Sequence, residues 1–325
     1  MPLLDFGILI PIRYDKQEMV YRGLADGVLR DVPEELWLRS PSCTGIGKED
    51  LLRAHSPAYV ERLFSAAVDE EAKRTFELVD EKGMFRRYDP SRATRPLSDL
   101  LVRALAITRG TLECCETALD TGFAYYLGGG MHHAMRDHGA GFCLVNDIVT
   151  ALRRLQAGGR IRTAWIVDLD AHKGDGTAAL TAGDDSLRTL SIHMADGWPL
   201  DSPVYDAAGV FNPSHTPGDI DIGIPRGGDA DYLPSLAAGL EKLSGLLPRP
   251  DIALVVDGAD PYEKDELPST AGLALSKEAL LERDMLVYDF LAGRGIPGAW
   301  VMAGGYGRHS WEIYVNFLEK IMPGR

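Results

Sequence analysis

Seven short runs of apolar and β-branched residues recur along the chain, and each has the length of a single β-strand. Most are apolar at consecutive positions, which is typical of strands that are buried on both faces of a sheet. The runs are Phe6–Ile12, Phe123–Leu127, Thr163–Leu169, Thr189–His193, Ile220–Ile224, Ile252–Val256 and Gly298–Ala303.

Longer stretches with the 3.6-residue periodicity of amphipathic helices lie between several of these runs. The clearest are Leu97–Leu119, Asp147–Leu155, Asp229–Leu246, Ser276–Leu291 and Ser310–Ile321. Strands that alternate with helices predict a central, mostly parallel sheet covered by helices on both sides. We therefore predict the α/β class, as a single three-layer α/β/α domain over residues 1–325. The charged, irregular segment Asp69–Pro96 is expected to form a long surface loop.

The composition excludes several classes of partner. The chain has 34 Lys and Arg against 48 Asp and Glu, a formal net charge of -14, whereas nucleic acids and anionic membranes are bound through basic surfaces. The N-terminal sequence lacks the basic region and cleavage site of a signal peptide, and its apolar run is too short to span a bilayer. None of the cysteines forms a C-x-x-C pair, which favours reduced structural thiols; they are Cys43, Cys114, Cys115 and Cys143. We expect a soluble cytoplasmic protein that binds neither nucleic acid nor membrane.

The polar residues directly after the predicted strands are the candidates for chemistry, because ligands of open α/β sheets bind beyond the carboxyl ends of the strands. The strand Thr163–Leu169 runs into the sequence DLDAH, in which Asp168, Asp170 and His172 alternate. In an extended chain these three side chains point to one face. Two buried carboxylates repel each other unless a cation lies between them, so this run predicts a cation site.

A further aspartate, Asp260 in the sequence GADP, lies beyond the end of the strand Ile252–Val256. With Asp170 and His172 it completes a set of two carboxylates and one imidazole, which leaves a fourth position for water, as in a catalytic metal site. Asp257 lies three residues earlier and points to the opposite face of an extended chain, so we assign it a structural role.

Two other strand ends carry candidate catalytic groups. His132 and His133 lie in the glycine-rich sequence GGGMHHA, where adjacent histidines favour a functional role over simple packing. Tyr306 lies in GGYG after the last predicted strand, where a phenol could donate a hydrogen bond to a developing oxyanion. His138 is expected to lie in a surface loop, and Phe142 could equally line the site or pack in the core.

In this order, the motifs resemble those of the histone deacetylase superfamily, which has the arginase-deacetylase fold and includes acetoin utilization proteins and acetylpolyamine amidohydrolases. The matching stretches lie between His55 and Trp311 and are HSPAYVERL, GGGMHHA, GFCLVND, VDLDAHKGDG, LSIH, GADP and GGYG. The resemblance implies a metal-dependent amidohydrolase that removes acetyl or other acyl groups from lysine side chains of a protein or peptide, or from another acylated amine.

The resemblance also implies which residues bind metal ions. Asp170, His172 and Asp260 would bind the catalytic metal, usually Zn²⁺, and this thiolate-free set is also compatible with Fe²⁺ or Co²⁺. A structural K⁺ would lie beneath it, bound by Ser191 and by the carbonyl groups of Asp168, Asp170 and His172.

The catalytic and substrate-binding residues follow from the same resemblance. His133 would act as general base and acid beside the attacking water, and His132 would be its electrostatic partner. Asp168 would orient His132, Asp175 would orient His133, and Tyr306 would polarise the acyl carbonyl. The substrate-binding positions would be the Gly141 carbonyl, which accepts the amide N–H, the slot walls Phe142 and Trp198, and the rim residue Leu267.

Departures from the family pattern keep alternatives open. Lys173 stands where the family more often has His or Gln, and we expect it to point away from the metal. Polyamine-selective relatives carry an acid at the rim position; Leu267 is apolar here, although Glu266 is adjacent. The alternatives are an acetylpolyamine or other small-amide deacetylase and a non-catalytic acyl-lysine-binding protein. A two-metal ureohydrolase is disfavoured, because the sequence lacks ligands for a second metal.

Overall fold

The computed structural model describes residues 2–10, 15–39, 45–205, 208–213, 215–246 and 248–322. Within these ranges the strands are β1 (Phe123–Tyr126), β2 (Ala164–Asp168), β3 (Leu187–Met194), β4 (Ile220–Ile224), β5 (Ile252–Asp257) and β6 (Gly298–Met302). The α-helices in the same ranges are α1 (Lys16–Asp26), α2 (Lys48–Leu51), α3 (Pro57–Leu63), α4 (Val68–Thr75), α5 (Asp99–Thr121), α6 (Asp147–Ala157), α7 (Asp175–Thr181), α8 (Tyr232–Ser244), α9 (Lys277–Gly293) and α10 (Ser310–Ile321).

The six strands form one parallel sheet in the order β1-β6-β5-β2-β3-β4. Alternate side chains of β2 enter different cores: Trp165 and Val167 pack with apolar residues of α1, α8, α9 and α10. Ile166 packs on the other face with residues of α5 and α6. The predicted three-layer α/β/α class is confirmed, with the sheet as the central layer.

The order of the strands determines where a ligand can bind. From β2 the chain adds β3 and β4 on one side, then returns to place β5 and β6 on the other side. β2 and β5 are therefore neighbours, with Asp168 in register with Val256. The crevice beyond the carboxyl ends of two strands at such a reversal is where open α/β sheets bind ligands.

One predicted strand is wrong over its described part. Leu3–Phe6 forms a 3-10 helix, and Gly7 ends it in the left-handed conformation with φ 73°. Ile8 then makes only an isolated antiparallel bridge to Tyr88. The Ile8 side chain packs in a separate hydrophobic core with residues of α3, α4 and α5, and not against the sheet. Residues 11 and 12 lie outside the described residues, as does Cys43.

The prediction of a loop over the whole segment Asp69–Pro96 is also wrong. Its first residues belong to α4, which has acidic residues in its first turn and Lys73 and Arg74 in its last. That arrangement of charges stabilises the helix, because it complements the helix macrodipole. Val68 and Ala72 are buried on the apolar side of α4. The remainder is irregular apart from a short 3-10 helix at Pro90–Arg92. None of the described helices is both long and apolar enough to cross a bilayer.

Candidate metal centre and active site

Asp170, His172 and Asp260 converge at the crevice between β2 and β5. All three are buried, and one potential ligand atom from each lies within 4.8 Å of the others. His172 Nδ1 lies 3.2 Å from Asp170 Oδ1 and 3.1 Å from Asp260 Oδ2. Backbone groups hold the carboxylates: Gly304 N–H donates to Asp170 Oδ2, and Ala171 N–H donates to Asp260 Oδ1.

The electrostatics of this triad suit a divalent cation. Burial, reinforced by the negative charge of Asp170, raises the pKa of Asp260 to about 7. Two buried carboxylates that face each other are stable as anions only with positive charge between them. A donor set of two carboxylates and one imidazole matches an open catalytic site for Zn²⁺, Fe²⁺ or Co²⁺, so these residues fit the expected metal.

Two histidine–aspartate pairs lie beside the triad, and their pKa values are driven in opposite directions. His132 Nδ1 donates to Asp168 Oδ2 at 2.7 Å, and His133 Nδ1 donates to Asp175 Oδ1 at 2.8 Å. Burial lowers the pKa of His132, but the charges of Asp168 and Asp170 outweigh it and raise the pKa to about 9. Burial, and then the charge of His132, lowers the pKa of His133 to about 4. The two ring centroids are 3.9 Å apart, so positive charge on His132 opposes protonation of His133.

The loop that carries the two histidines is held by a buried carboxylate at the start of α6. Asp147 Oδ1 accepts from Met131 N–H at 2.7 Å, and its Oδ2 accepts from Gly130 N–H at 3.1 Å and from Thr111 Oγ1. His55 supports the same region, since its Nδ1 donates to a neighbouring carbonyl and its Nε2 accepts from Asn146 N–H. Asp147 and His55 lie in stretches that matched the family pattern, but no local pattern indicated these contacts.

The predicted slot residues surround the histidines. The Trp198 ring lies 4.5 Å from that of His133 and 5.6 Å from that of His172. Gly141 has φ 53°, and a Cβ at this position would lie 2.3 Å from Trp198 and 2.6 Å from His133. Only glycine fits there. The Gly141 carbonyl accepts a hydrogen bond from Cys143 Sγ at 3.2 Å.

Phe142 packs against a core cluster, and its predicted place in the slot stays a prediction. It is half-buried with φ 65°, and its ring stacks on Phe76 at 6.2 Å. Its N–H donates to the Thr75 carbonyl at 3.1 Å. The end of α4 therefore supports Phe142, a contact between segments far apart in the chain that sequence patterns do not reveal.

Tyr306 and Leu267 lie on two segments joined by Asp265. Asp265 Oδ2 accepts from Tyr306 N–H at 2.7 Å, and its Oδ1 accepts from Leu267 N–H at 2.9 Å. Burial, with the charges of Asp170 and Asp260, raises the pKa of Tyr306 well above its usual value. The phenol is therefore protonated and available as a hydrogen-bond donor.

Three polar residues near the motifs lie away from the triad. Asp257 is fully buried and accepts from Tyr125 Oη and from Arg283 Nη2. Lys173 is buried and forms an ion pair with Asp221 of β4, so it points away from the triad. His138 is exposed and contacts the neighbouring aspartate.

Two of the four residues expected to bind K⁺, Asp168 and Ser191, border a small cavity. Asp168 and Ser191 are paired in register on β2 and β3. They line a cavity of about 10 Å³ together with Lys173 and Asp221. A space of that size admits about one water-sized particle, but Asp170 and His172 are not among its lining residues and Lys173 is, so the K⁺ site stays a prediction.

Sequence reasoning missed Arg283, a fully buried residue of α9 that contacts both strand ends of the triad. Its Nη1 donates to the carbonyls of Leu169, at 3.2 Å, and Gly258, at 2.7 Å. Its Nε donates to Asp284 at 2.7 Å. The sequence contained one signal for this contact, an arginine followed by an aspartate on the buried side of a helix. Arginine is almost never buried without a partner.

Comparison with known proteins agrees with the fold and motifs. Residues 11–318 match the family model of the histone deacetylase domain. An uncharacterized protein of Picosynechococcus sp. is 31% identical over 291 residues, 89% of this chain and 84% of that protein. The acetoin utilization protein AcuC of Staphylococcus aureus is 28% identical over 272 residues, 82% of this chain but only 65% of that protein.

Solved structures share the same architecture. The histone deacetylase homolog of Aquifex aeolicus aligns with a TM-score of 0.71 and 20% identity, over 98% of this chain and 82% of that one. The acetylpolyamine aminohydrolase of Burkholderia pseudomallei aligns with a TM-score of 0.69 and 18% identity, over 96% and 91%. The match of the domain model to nearly the whole chain shows that this protein belongs to the histone deacetylase family.

Proposed function

We propose that this protein is a metal-dependent amidohydrolase with a single catalytic metal, and that it removes an acyl group from the side chain of an acylated lysine. The observation that carries the proposal is the pair His132 and His133 beside the triad. Each imidazole donates its Nδ1–H to its own aspartate, His132 to Asp168 at 2.7 Å and His133 to Asp175 at 2.8 Å, and their pKa values shift in opposite directions. Neighbouring titratable groups whose pKa values are shifted in opposite directions are typical of acid–base sites.

The neutral imidazole of His133 is suited to remove a proton from the attacking water. Asp175 receives its Nδ1–H, so Nε2 is the free basic atom. The cationic His132, stabilised by Asp168, stabilises negative charge that develops nearby. His133 can then return its proton to the departing amine, which cannot leave as an anion. A divalent metal bound by the triad supplies Lewis acidity that activates water and polarises the acyl oxygen.

Tyr306 is suited to donate a hydrogen bond to the acyl oxygen as it becomes an oxyanion. Its raised pKa keeps the phenol protonated, and its turn is joined to the triad through Gly304, whose N–H donates to Asp170. Removing one such donor typically lowers kcat by about 10²–10³.

The rim favours acyl-lysine over acetylpolyamines. Leu267 is apolar, and the adjacent Glu266 accepts from Arg308 Nε at 3.0 Å and from Arg308 N–H at 3.2 Å. Glu266 is therefore already paired with a cation of this chain, and Leu267 itself offers no anionic partner for a second ammonium group. Trp198, close to both His133 and His172, would form one wall of a narrow apolar slot.

Hydrolysis of a panel of amides by Zn²⁺-replete protein tests the proposal. The panel holds acetyl-, butyryl- and myristoyl-lysine peptides with acetylspermidine and acetylputrescine, and Tyr306→Phe serves as the catalytic control. Preference for one acyl-lysine, lost by about 10²–10³ in Tyr306→Phe with metal retained, is the expected result. Preference for the polyamines would refute the assignment of substrate, and no turnover of any amide by metal-loaded protein would refute the assignment of activity.

A further inference from the structure

Asp265 accepts hydrogen bonds from both sides of the active-site rim. Its Oδ2 accepts from the N–H groups of Tyr306, at 2.7 Å, and Gly307, at 3.3 Å. Its Oδ1 accepts from Leu267 N–H, at 2.9 Å, and from Thr270 Oγ1, at 3.1 Å. One carboxylate thus joins the turn that carries the candidate oxyanion donor to the segment that carries the candidate rim residue.

Three of the five residues of the turn at 303–307 are glycines; Asp265 holds its second half, whereas the Gly304 backbone is held by Asp170, Ala259 and Tyr314. Glycine-rich backbone loses more conformational entropy on ordering than other sequences. An oxyanion donor nevertheless has to lie about 3 Å from its target, and a displacement of about 1 Å can lower the rate by about 100-fold. The position of the turn relative to the rest of the site is therefore a requirement for catalysis.

The two segments approach each other so closely that they exclude a side chain. A Cβ at Gly307 would lie 2.5 Å from the carbonyl oxygen of Lys264 and 3.2 Å from Asp265 Cα. The ion pair between the two segments, Arg308 with Glu266, is largely in solvent, with side chains 68% and 49% exposed. Exposed pairs contribute little, so Asp265 is the stronger connection.

We propose that Asp265 is a positioning residue, which fixes the Tyr306 turn to the rim segment and thereby places the phenol for catalysis. This inference rests on the proposed role of Tyr306. Hydrogen bonds to an ionised acceptor are about twice as strong as neutral ones, which suits a carboxylate that holds backbone N–H groups on both sides. Within the described residues, the hydrogen bonds of this carboxylate all go to groups outside the triad, so its effect should fall on turnover and leave metal binding intact.

The variant Asp265→Asn tests the role, since it keeps the shape but replaces one acceptor oxygen by an NH₂ group. We expect kcat for an acetyl-lysine peptide to fall about 10–100-fold through misplacement of the phenol, while KM stays within about threefold. The Zn²⁺ content should equal that of the parent protein. Glu266→Gln is the matched control: it makes the same chemical change in the exposed pair between the same segments, and should retain kcat within about twofold.

A double-mutant cycle separates positioning from a general structural effect. In the Tyr306→Phe background, Asp265→Asn should cause almost no further loss, because no hydroxyl group remains to be placed. The inference would be overturned if the loss of kcat in the double variant equalled the product of the two single losses. It would also be overturned if Asp265→Asn alone kept the kcat of the parent protein.

A second variant covers the case in which Asp265→Asn does not fold. Gly307→Ala pushes the turn away from Lys264 without altering any charge, and should also lower kcat at constant metal content. Full kcat in that variant would likewise overturn the inference. Full turnover by Tyr306→Phe alone is a different outcome, because it would refute the proposed role of Tyr306 and the inference with it.

Discussion

Replacing Arg283 by methionine should destabilise the protein more than any change to a surface ion pair. The guanidinium is fully buried, as are its partners Asp257 and Asp284. Removing it leaves two buried carboxylates without a counter-charge and the carbonyls of Leu169 and Gly258 without this donor. Breaking a buried pair in this way typically costs about 3–5 kcal/mol.

The expected change in melting temperature follows from the size of the chain. At about 2.1 cal/mol/K per residue, a chain of 325 residues unfolds with an entropy of about 0.7 kcal/mol/K. A loss of about 4 kcal/mol therefore lowers Tm by about 6 °C. The control Arg22→Gln removes an exposed pair with Glu18, whose side chains are 64% and 59% exposed. It should shift Tm by less than about 1 °C.

Calorimetric melting of the metal-free proteins measures both changes. If unpaired charge causes the loss, adding Asp257→Asn and Asp284→Asn to Arg283→Met should restore at least half of the lost Tm, because neutral amides tolerate burial better than carboxylates. A Tm within about 1 °C of the parent for Arg283→Met would refute the reasoning. A triple variant no more stable than the single one would show that the lost donors to the carbonyls, rather than the unpaired charges, determine the cost.

Three further predictions concern pH, backbone conformation and metal. Burial lowers the pKa of His55 to about 4, so the unfolded chain, with a pKa of about 6.5, binds the extra proton first as the pH falls. This group then reduces stability between about pH 6.5 and 4, by up to about 3 kcal/mol, and an unchanged acid slope of Tm in His55→Gln would contradict this. Gly141→Ala should lower kcat/KM at least about tenfold by displacing the rings near its Cβ, whereas Gly159→Ala, also at positive φ but in open space, should retain activity. Asp260→Ala should lose stoichiometric metal measured by elemental analysis, while Asp257→Asn keeps it; metal retained in the first variant would reject the ligand assignment.

Local patterns were sufficient for the six strands of the sheet and for the motifs whose side chains converge at the crevice. Alternation at the end of β2 identified Asp168, Asp170 and His172, because side chains two residues apart in an extended chain lie on the same face. The glycine-rich sequences around His132 and Tyr306 marked turns at strand ends for the same local reason. The failed strand prediction also has a local cause: Phe6–Ile12 has strand-like composition, but after a 3-10 helix and Gly7 the side chains of Phe6, Ile8 and Ile10 lie in another core.

The sequence by itself therefore determined the fold class, the strand ends and the residue types available for metal binding and acid–base chemistry. Only the tertiary structure decided that β5 lies beside β2, with β3 and β4 between them in sequence, and so brought Asp260 to His172. It also decided that Asp265 joins Leu267 to Tyr306 and that Arg283 joins the two strand ends. Periodicity records whether a position is buried, whereas the pairing of distant segments depends on how complete surfaces pack, which no short stretch of sequence contains.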